Sequence, residues 1–474
     1  MKVVHITASD GMGGADRSAF NLHDSLLQAG VESTLLVGKA SGGGRGVHEG
    51  KQRFLCSRES LEGFLIWSQR TSISNTHFSL NLPGQFCMEE EIISNADVIN
   101  LHWVAGLISA STLCRLAEFG KPIVWTLHDA RPLTGGCHFP ATCTNYRNSC
   151  AECPQLLLDP GGMAGKARSM LQEALDYSNV HFVAPSTWMR EMVDSSESGK
   201  NRKVRTIPYG VDAELFAPIG RDEARQKLGL GTEAHYILLA SHHVAEKRKG
   251  FLEAREILRH VGNLDALRTS VESGNLRLLL CGHGDDGIEF PGWSVDRVGY
   301  LPKNAMPWLY NAADLLLFTS TQDNLPNVVM EAMSCGTAVV SHDLPGIRDM
   351  FGSGELAGLL LPMNNARASA DRVMEFLQKK SARDEVGLHG RRRILNHFSL
   401  NTQASSYIRL YESLLESPPV VPRPGIPVTS EQEIDVIMES LMARHRHVEE
   451  ELRQTRLPLD SRWARLGRKL GFMP

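Results

Sequence analysis

Apolar positions along this chain alternate between two patterns. Short, nearly continuous apolar runs give way to longer stretches in which apolar residues recur every three or four positions. The first pattern predicts strands buried on both faces, and the second predicts helices that bury one face. Residues 2–7 form the first strand. Ala15, Ala19, Leu22, Leu26 and Ala29 then stripe one side of a helix, which Gly30 stops. Thr34-Leu35-Leu36-Val37 is the next strand, completing a βαβ unit of a parallel sheet. Further strands are predicted at Val98–Leu101, Ile123–Leu127, His181–Ala184 and Val204–Ile207. A second series follows at Tyr236–Ala240, Leu276–Cys281, Asp314–Phe318, Ala338–Ser341 and Leu359–Leu361.

The pattern therefore predicts an α/β protein of two doubly wound, Rossmann-like domains. Residues 1–205 form the first and 235–395 the second, joined by a polar linker at 206–234. Such domains face each other across a cleft lined by strand carboxyl ends, where ligands bind. A length of 474 residues is too great for one core and fits this division. A net charge of −4 gives no basic field for nucleic acid. The first residues read as a strand rather than an export signal, and no apolar run approaches the ~20 residues of a membrane span. Nine cysteines, an odd number, fit a reducing cytoplasm.

The richest local signal is Asp323-Asn324-Leu325-Pro326-Asn327-Val328-Val329-Met330-Glu331, between a predicted buried strand and a helix. Pro326 suits a first helical position, and the free N–H groups of that turn form a ready phosphate site. Two carboxylates, Asp323 and Glu331, stand seven residues apart as acceptors for sugar and ribose hydroxyls. A plain strand-to-helix turn with solvated acids is the bland alternative. The spacing resembles the acid-x7-acid signature of retaining glycosyltransferases of the GT-B fold, family 4, in which the first acid is usually Glu. The resemblance implies that Glu331 holds the nucleotide ribose and that Asp323 faces the donor sugar, one methylene shorter than usual. Asn324, Leu325 and Pro326 line the same donor site.

Other stations of that family have counterparts here. The loop Gly11-Met12-Gly13-Gly14 is similar to its N-terminal glycine loop, which places Gly13 and Gly14 near donor and acceptor. His128, in Trp125-Thr126-Leu127-His128-Asp129, corresponds to a histidine beside the reaction centre, with Asp129 orienting it. His102 is a lesser candidate for the acceptor side. Arg248 and Lys249 resemble the cationic pair that stabilises the departing diphosphate, where negative charge builds as the glycosidic bond breaks. Gly282 resembles a glycine turn near the nucleotide, and Val298-Gly299-Tyr300-Leu301 the strand that follows. The turn Asp343-Leu344-Pro345-Gly346 is a further candidate for the donor pocket. The family's last helix returns to the first domain; residues 396–417 fit it, with Tyr407, Leu410, Tyr411 and Leu414 on one face. The resemblance implies no catalytic metal or other cofactor, with the nucleotide sugar as substrate. It also implies that leaving diphosphate oxygen deprotonates the incoming hydroxyl.

Cys137, Cys143, Cys150 and Cys153 fall within seventeen residues. The last pair has zinc spacing and the first pair is wider. A closed structural zinc site is the preferred reading; a set of free thiols, disulfides and an iron–sulfur cluster, for which no redox motif speaks, are the alternatives. The segment Trp125–Pro154 narrows the resemblance to bacterial colanic-acid and exopolysaccharide glycosyltransferases. Residues 418–474 lie outside it: five prolines make a stiff linker, and a charged helix follows from about Glu431 to Arg456. Arg462–Phe472 mixes cations with Trp463 and Phe472, a composition suited to an anionic membrane surface or to docking on a protein body.

The expected function is transfer of a sugar from a nucleotide donor to a saccharide acceptor, lipid-linked and part of bacterial polysaccharide assembly. The expected location is cytoplasmic, at the inner face of the plasma membrane. A nucleotide-sugar epimerase and a non-catalytic assembly subunit are the alternatives.

Overall fold

The computed structural model describes residues 1–456 except 12, 43, 54–57, 75–76, 80–84, 88–89, 201, 285–286 and 418–424. Seven parallel strands build the first sheet, in the spatial order Val47–Glu49, Glu32–Lys39, Lys2–Ser9, Val98–Leu101, Ile123–Thr126, Val180–Ala184, Val204–Thr206. Six parallel strands build the second: Val295–Gly299, Leu276–His283, His235–His243, Leu315–Phe318, Val339–His342, Leu360–Leu361. Each order reverses beside its central strand, at Lys2–Ser9/Val98–Leu101 and at His235–His243/Leu315–Phe318. Those two switch points open the crevices where ligands of doubly wound sheets bind.

The central strands are apolar on both faces because helices cover both. Val98–Leu101, Ile123–Thr126 and Leu315–Phe318 are buried at every position. Each expected strand is present with ends shifted by a few residues. The patterning did not reveal the edge strand Val47–Glu49 or the antiparallel pair Lys51–Arg53 and Gln85–Cys87, which are short and polar.

One expected boundary needs correction. Residues 206–234 are not a free linker. Tyr209, Val211, Phe216 and Ala224 belong to the second domain's core, and residues Arg221–Lys227 form a helix. From that helix Arg225 donates to Asp314 Oδ2 at 2.8 Å and to the Ala312 carbonyl at 3.0 Å. Asp314 Oδ2 also accepts from the Tyr236 amide at 2.8 Å, while Oδ1 is paired with Arg221 at 3.3 Å, at the base of the sheet.

The helix Leu400–Leu415 packs on the first domain. Ala404, Tyr407, Leu410 and Tyr411 pack against Val3, Leu22, Val98, Val124 and Val183. Its two phenols reach polar side chains inside the first sheet: Asn100 Nδ2 donates to Tyr411 at 2.7 Å, and Thr126 pairs with Tyr407 at 2.8 Å.

The tail helix, Ser430–Arg456, docks on the first domain. Buried Glu433 accepts from Ser109 Oγ (2.9 Å), the Ser111 amide (3.1 Å) and Ser111 Oγ (2.6 Å). Ser109 caps the helix Ala110–Ala117, so the carboxylate sits at a positive helix end. Ile437 and Leu441 pack beside Phe78, Leu156 and Met163. Docking on the body thus accounts for this helix, while Arg462–Phe472 lies outside the described residues. No helix among the described residues is long and apolar enough to cross a membrane.

Tyr411→Phe removes the acceptor of the buried Asn100 amide. A loss of about 1–3 kcal/mol of stability is expected, read from denaturant midpoints. A midpoint within error of the wild type would mean that the returning helix is held by apolar packing alone.

Candidate active site

The two switch points face each other and enclose an open cleft of about 1490 Å³. Its second-domain wall is built by steric locks. After the strand Leu315–Phe318 the chain runs past Gly250 and Gly346. A β-carbon at Gly250 would lie 1.7 Å from the Thr319 carbonyl oxygen, and one at Gly346 would lie 1.6 Å from that of Asn324. Only glycine fits either position, and Gly250 also has a left-handed φ of 72°. Thr321 N donates to the Arg248 carbonyl at 2.8 Å, stitching the loop to the cationic turn Lys247–Lys249.

The locks deliver Asp323 to Arg248 and Lys249. Lys249 Nζ lies 2.8 Å and Arg248 Nη1 3.2 Å from Asp323 Oδ2. Burial alone would raise the Asp323 proton affinity; the two cations overcome it and hold the carboxyl below the usual carboxylate range. Arg248 also donates to Glu246 and to the Gln322 carbonyl, both at 2.9 Å, and covers the Phe139 ring at 4.2 Å. Thus the sequence-selected Asp323, Arg248 and Lys249 form one cluster.

Two helix N-termini meet beside it. Helix Asn327–Ser334 begins one residue later than expected, with Pro326 as its extended N-cap rather than its first residue. Asn327 Nδ2 donates to the Gly14 carbonyl at 3.0 Å, where helix Gly14–Gln28 begins. Gly13, Gly14, Leu325 and Pro326 line the cleft as the sequence suggested. Arg17, on the first turn of that helix, lines it too and approaches Glu331 Oε1 at 3.8 Å. Glu331 itself is buried behind the cleft, with Oε2 accepting from Tyr310 at 2.7 Å.

Three expected contacts take a different form. Asn324 spans the domains: its Nδ2 donates to the carbonyls of Leu127 (2.9 Å) and His128 (3.2 Å), and its Oδ1 accepts from Ser186 at 2.6 Å. Its amide is thus committed to domain contact rather than free for a donor. Gly282 does not line the cleft. It serves close packing, since a β-carbon there would lie 2.2 Å from the Ser241 carbonyl oxygen. Asp129 orients His138 rather than the His128 ring: Oδ2 takes His138 Nδ1 at 2.6 Å and Trp103 Nε1 at 2.8 Å.

His128 lines the cleft, but both ring nitrogens are engaged. Nδ1 pairs with the Tyr209 hydroxyl at 2.8 Å and Nε2 with His102 Nδ1 at 3.0 Å; His102 Nε2 then meets His5 Nδ1 at 2.9 Å. A sugar hydroxyl seeking a His128 nitrogen would have to displace one of these partners. His102 is therefore a buried link rather than an acceptor contact. Burial lowers the proton affinity of all three histidines, that of His128 to about 4. Each ring is neutral; His102 and His128 each use both nitrogens, whereas His5 ends the row with its Nε2 unpartnered. Tyr209 was missed because it fell in the supposed linker. Arg17 and His138 had available signals: a cation one turn after the glycine loop, and a histidine directly after Cys137.

The cysteines at 137, 143, 150 and 153 do not enter the cleft. They line a separate cavity together with Phe78, Tyr146 and Ala164.

Comparison with known proteins gives the family and the fold. Residues 12–215 match the model for Glycosyltransferase Family 4, and residues 221–393 that for Glycosyl transferases group 1. WcaC of Escherichia coli K12, assigned as a colanic acid biosynthesis glycosyl transferase, is 23% identical over 452 residues, covering 87% of this chain and all of that protein. The D-inositol 3-phosphate glycosyltransferase of Mycolicibacterium smegmatis is 25% identical, covering 64% of this chain and 66% of its own. Among solved structures, sucrose-phosphate synthase of Thermosynechococcus elongatus superposes with a TM-score of 0.61 at 16% identity, over 87% of this chain and 99% of that one. Anabaena HepE, solved with UDP and glucose, gives 0.55 at 15% identity, over 87% and 100%.

The buried histidines set an acid limit. The unfolded chain binds a proton on each below about pH 6.5, whereas folded His128 does so only near pH 4. Stability is therefore full above about pH 6.5 and falls as the pH drops from there towards about 5. Denaturant midpoints over that window should fall, and in His128→Gln the slope should be shallower by about one proton. Equal slopes in the two proteins would contradict a neutral His128. With two domains matched over most of its length and the cleft laid out as above, the chain belongs to the GT-B glycosyltransferases of family 4, group 1.

Proposed function

We propose that this glycosyltransferase moves a hexose, with retention, from a nucleotide sugar to a saccharide acceptor in bacterial polysaccharide biosynthesis. The observation that carries the reading is the Asp323–Arg248–Lys249 cluster beside the two helix N-termini. In this reading Arg248, Lys249 and the helix ends receive the donor diphosphate and stabilise the charge that develops as the glycosidic bond breaks. Asp323, kept ionised by those cations, accepts hydroxyls of the sugar. Glu331 Oε1, which Arg17 approaches only at 3.8 Å, takes a ribose hydroxyl while Tyr310 holds the other oxygen.

The leaving diphosphate oxygen takes the acceptor proton on the same face. A bond forms from the acceptor oxygen to the anomeric carbon as the bond to the diphosphate breaks, and no protein nucleophile is required. His128, locked between His102 and Tyr209, shapes the wall and positions neighbours. The acceptor enters from the first-domain side, past Trp103, His138 and Phe139. The similarity to WcaC supports a polysaccharide product, and the likeness to HepE supports the fold that such a donor needs. A lipid-linked acceptor would place the enzyme on the inner face of the plasma membrane.

The test is a thermal-shift screen of wild type and Lys249→Ala against UDP-, GDP-, ADP- and dTDP-sugars, followed by product analysis. One donor class should stabilise the wild type by roughly 2.7 kcal/mol at about 100 times Kd. Lys249→Ala should lose about 10²–10³ in kcat/KM, as expected for removing one charge-stabilising donor. Retention of the anomeric configuration completes the expected result. An altered nucleotide sugar formed without acceptor would replace this reading with an epimerase. A folded wild type that none of the donors stabilises would replace it with a non-catalytic subunit.

A further inference from the structure

We propose that Cys137, Cys143, Cys150 and Cys153 bind one zinc ion as four thiolates, forming a closed structural site that braces the acceptor-side wall of the cleft. The inference is independent of donor or acceptor identity. It begins from convergence: four cysteines spread over a polar, irregular loop all line one small cavity. Packing a loop does not require four thiols at one point.

The sulfurs are also supplied with hydrogen-bond donors. Asn145 N donates to Cys143 Sγ at 3.4 Å. The Gln155 amide faces Cys153 and the Gly135 amide faces Cys150. In two cases, Cys143 with Asn145 and Cys153 with Gln155, the donor is the amide two residues further on. A neutral thiol is a weak acceptor that gains little from such donors, whereas a thiolate holding a metal gains charge-assisted bonds.

Two arginine guanidinium groups border the sulfurs. Arg168 is 2% exposed, and its Nε and Nη2 have no hydrogen-bond partner. Its charge is coupled to Cys150, and that of Arg70 to Cys137 and Cys153. Glu197 and Asp176 also act on Arg168, but neither bonds to its Nε or Nη2. Zinc with four thiolates is a dianion, the charge that these two arginines would balance. Four sulfur ligands select zinc or an iron–sulfur centre, and the closed, non-catalytic form is the usual structural zinc site. Binding replaces four S–H bonds with S–Zn bonds and releases the protons to solvent.

Among the described residues no three ligating side chains yet stand in metal-holding geometry. The ion must therefore draw the sulfurs inward, coupling its binding to the order of the loop. That loop reaches the reaction side. Phe139 lies under Arg248, its carbonyl accepts from Gln155 at 2.9 Å, and Ala141 N donates to Gln322 Oε1 of the second domain at 3.0 Å.

The test uses the full chain purified under reducing conditions without added metal. Elemental analysis should give about one zinc per chain, and a mercurial reagent should release it as about four thiols react. Cobalt exchange should give the intense thiolate-to-metal absorption and the tetrahedral visible bands. Cys143→Ala should lose the metal and Cys114→Ala, elsewhere in the first domain, should keep it. Zinc below about 0.1 per chain, with no thiolate–cobalt absorption from wild type, would overturn the proposal. Iron with cluster absorption would overturn the choice of zinc. Full zinc in Cys143→Ala would overturn the ligand set. If that variant fails to fold, the wild-type metal content and cobalt spectrum still decide.

Discussion

The placement of one short loop, residues 319–324, governs everything in the cleft. It is wedged between Gly250 and Gly346, where any β-carbon would collide with its backbone. Its last residue crosses to the first domain, where Asn324 satisfies the carbonyls that end the strand Ile123–Thr126. A buried amide left without those partners would cost about 1–3 kcal/mol for each group, so the contact fixes the distance between the domains as well as the loop. Asp323 has little choice of direction once its neighbours on both sides are held. The same constraint explains why Asn324 is spoken for structurally while Asp323 is offered to the cleft.

Held in this way, Asp323 stands where two cations converge. A buried carboxylate by itself would tend to protonate, and two buried cations by themselves would repel. Together they stay charged and ordered, with the Phe139 ring supporting the Arg248 guanidinium from the opposite domain. Charge arranged before a ligand arrives stabilises a transition state without a reorganisation cost. The two adjoining helix ends add partial positive charge that needs no counter-ion.

Much of this was legible in the sequence. Uniform apolar runs identify central parallel strands because both faces are covered, and the first and last residues of Val98–Leu101 and Leu276–Cys281 fall within two positions of the observed ends. The segment Asp323–Glu331 stood out because carboxylates and turn residues coincide there, whereas Arg248–Lys249 stood out only through the family resemblance. Partnership was not legible. Local sequence cannot show that Asn324 bonds to residue 127, that His128 spends both nitrogens on His102 and Tyr209, or that Asp129 serves His138. These are contacts between distant segments, set by the closing of two domains. The supposed linker failed for a related reason: residues 206–234 are polar and rich in turns, yet Phe216 and Arg225 bury against a sheet that forms later in the chain.

The cleft finally joins two electrostatic regimes that its construction keeps apart. At the back, His5, His102, His128 and Tyr209 form a hydrogen-bonded row in which burial keeps each ring uncharged. At the front, Arg248 is buried and Asp323 and Lys249 half-buried, yet all three are charged, because each has an opposite charge within hydrogen-bonding reach. Asp129 lies between the two and sides with the front: His138, Trp103 and the Arg131 amide hold its carboxyl below the usual range against its burial. Beside a neutral back wall, the positive charge of the cleft comes from Arg248 and Lys249 and from two helix ends, one from each domain. The first domain, with Trp103, His138 and Phe139 at its edge, is then free to shape what approaches from the other side.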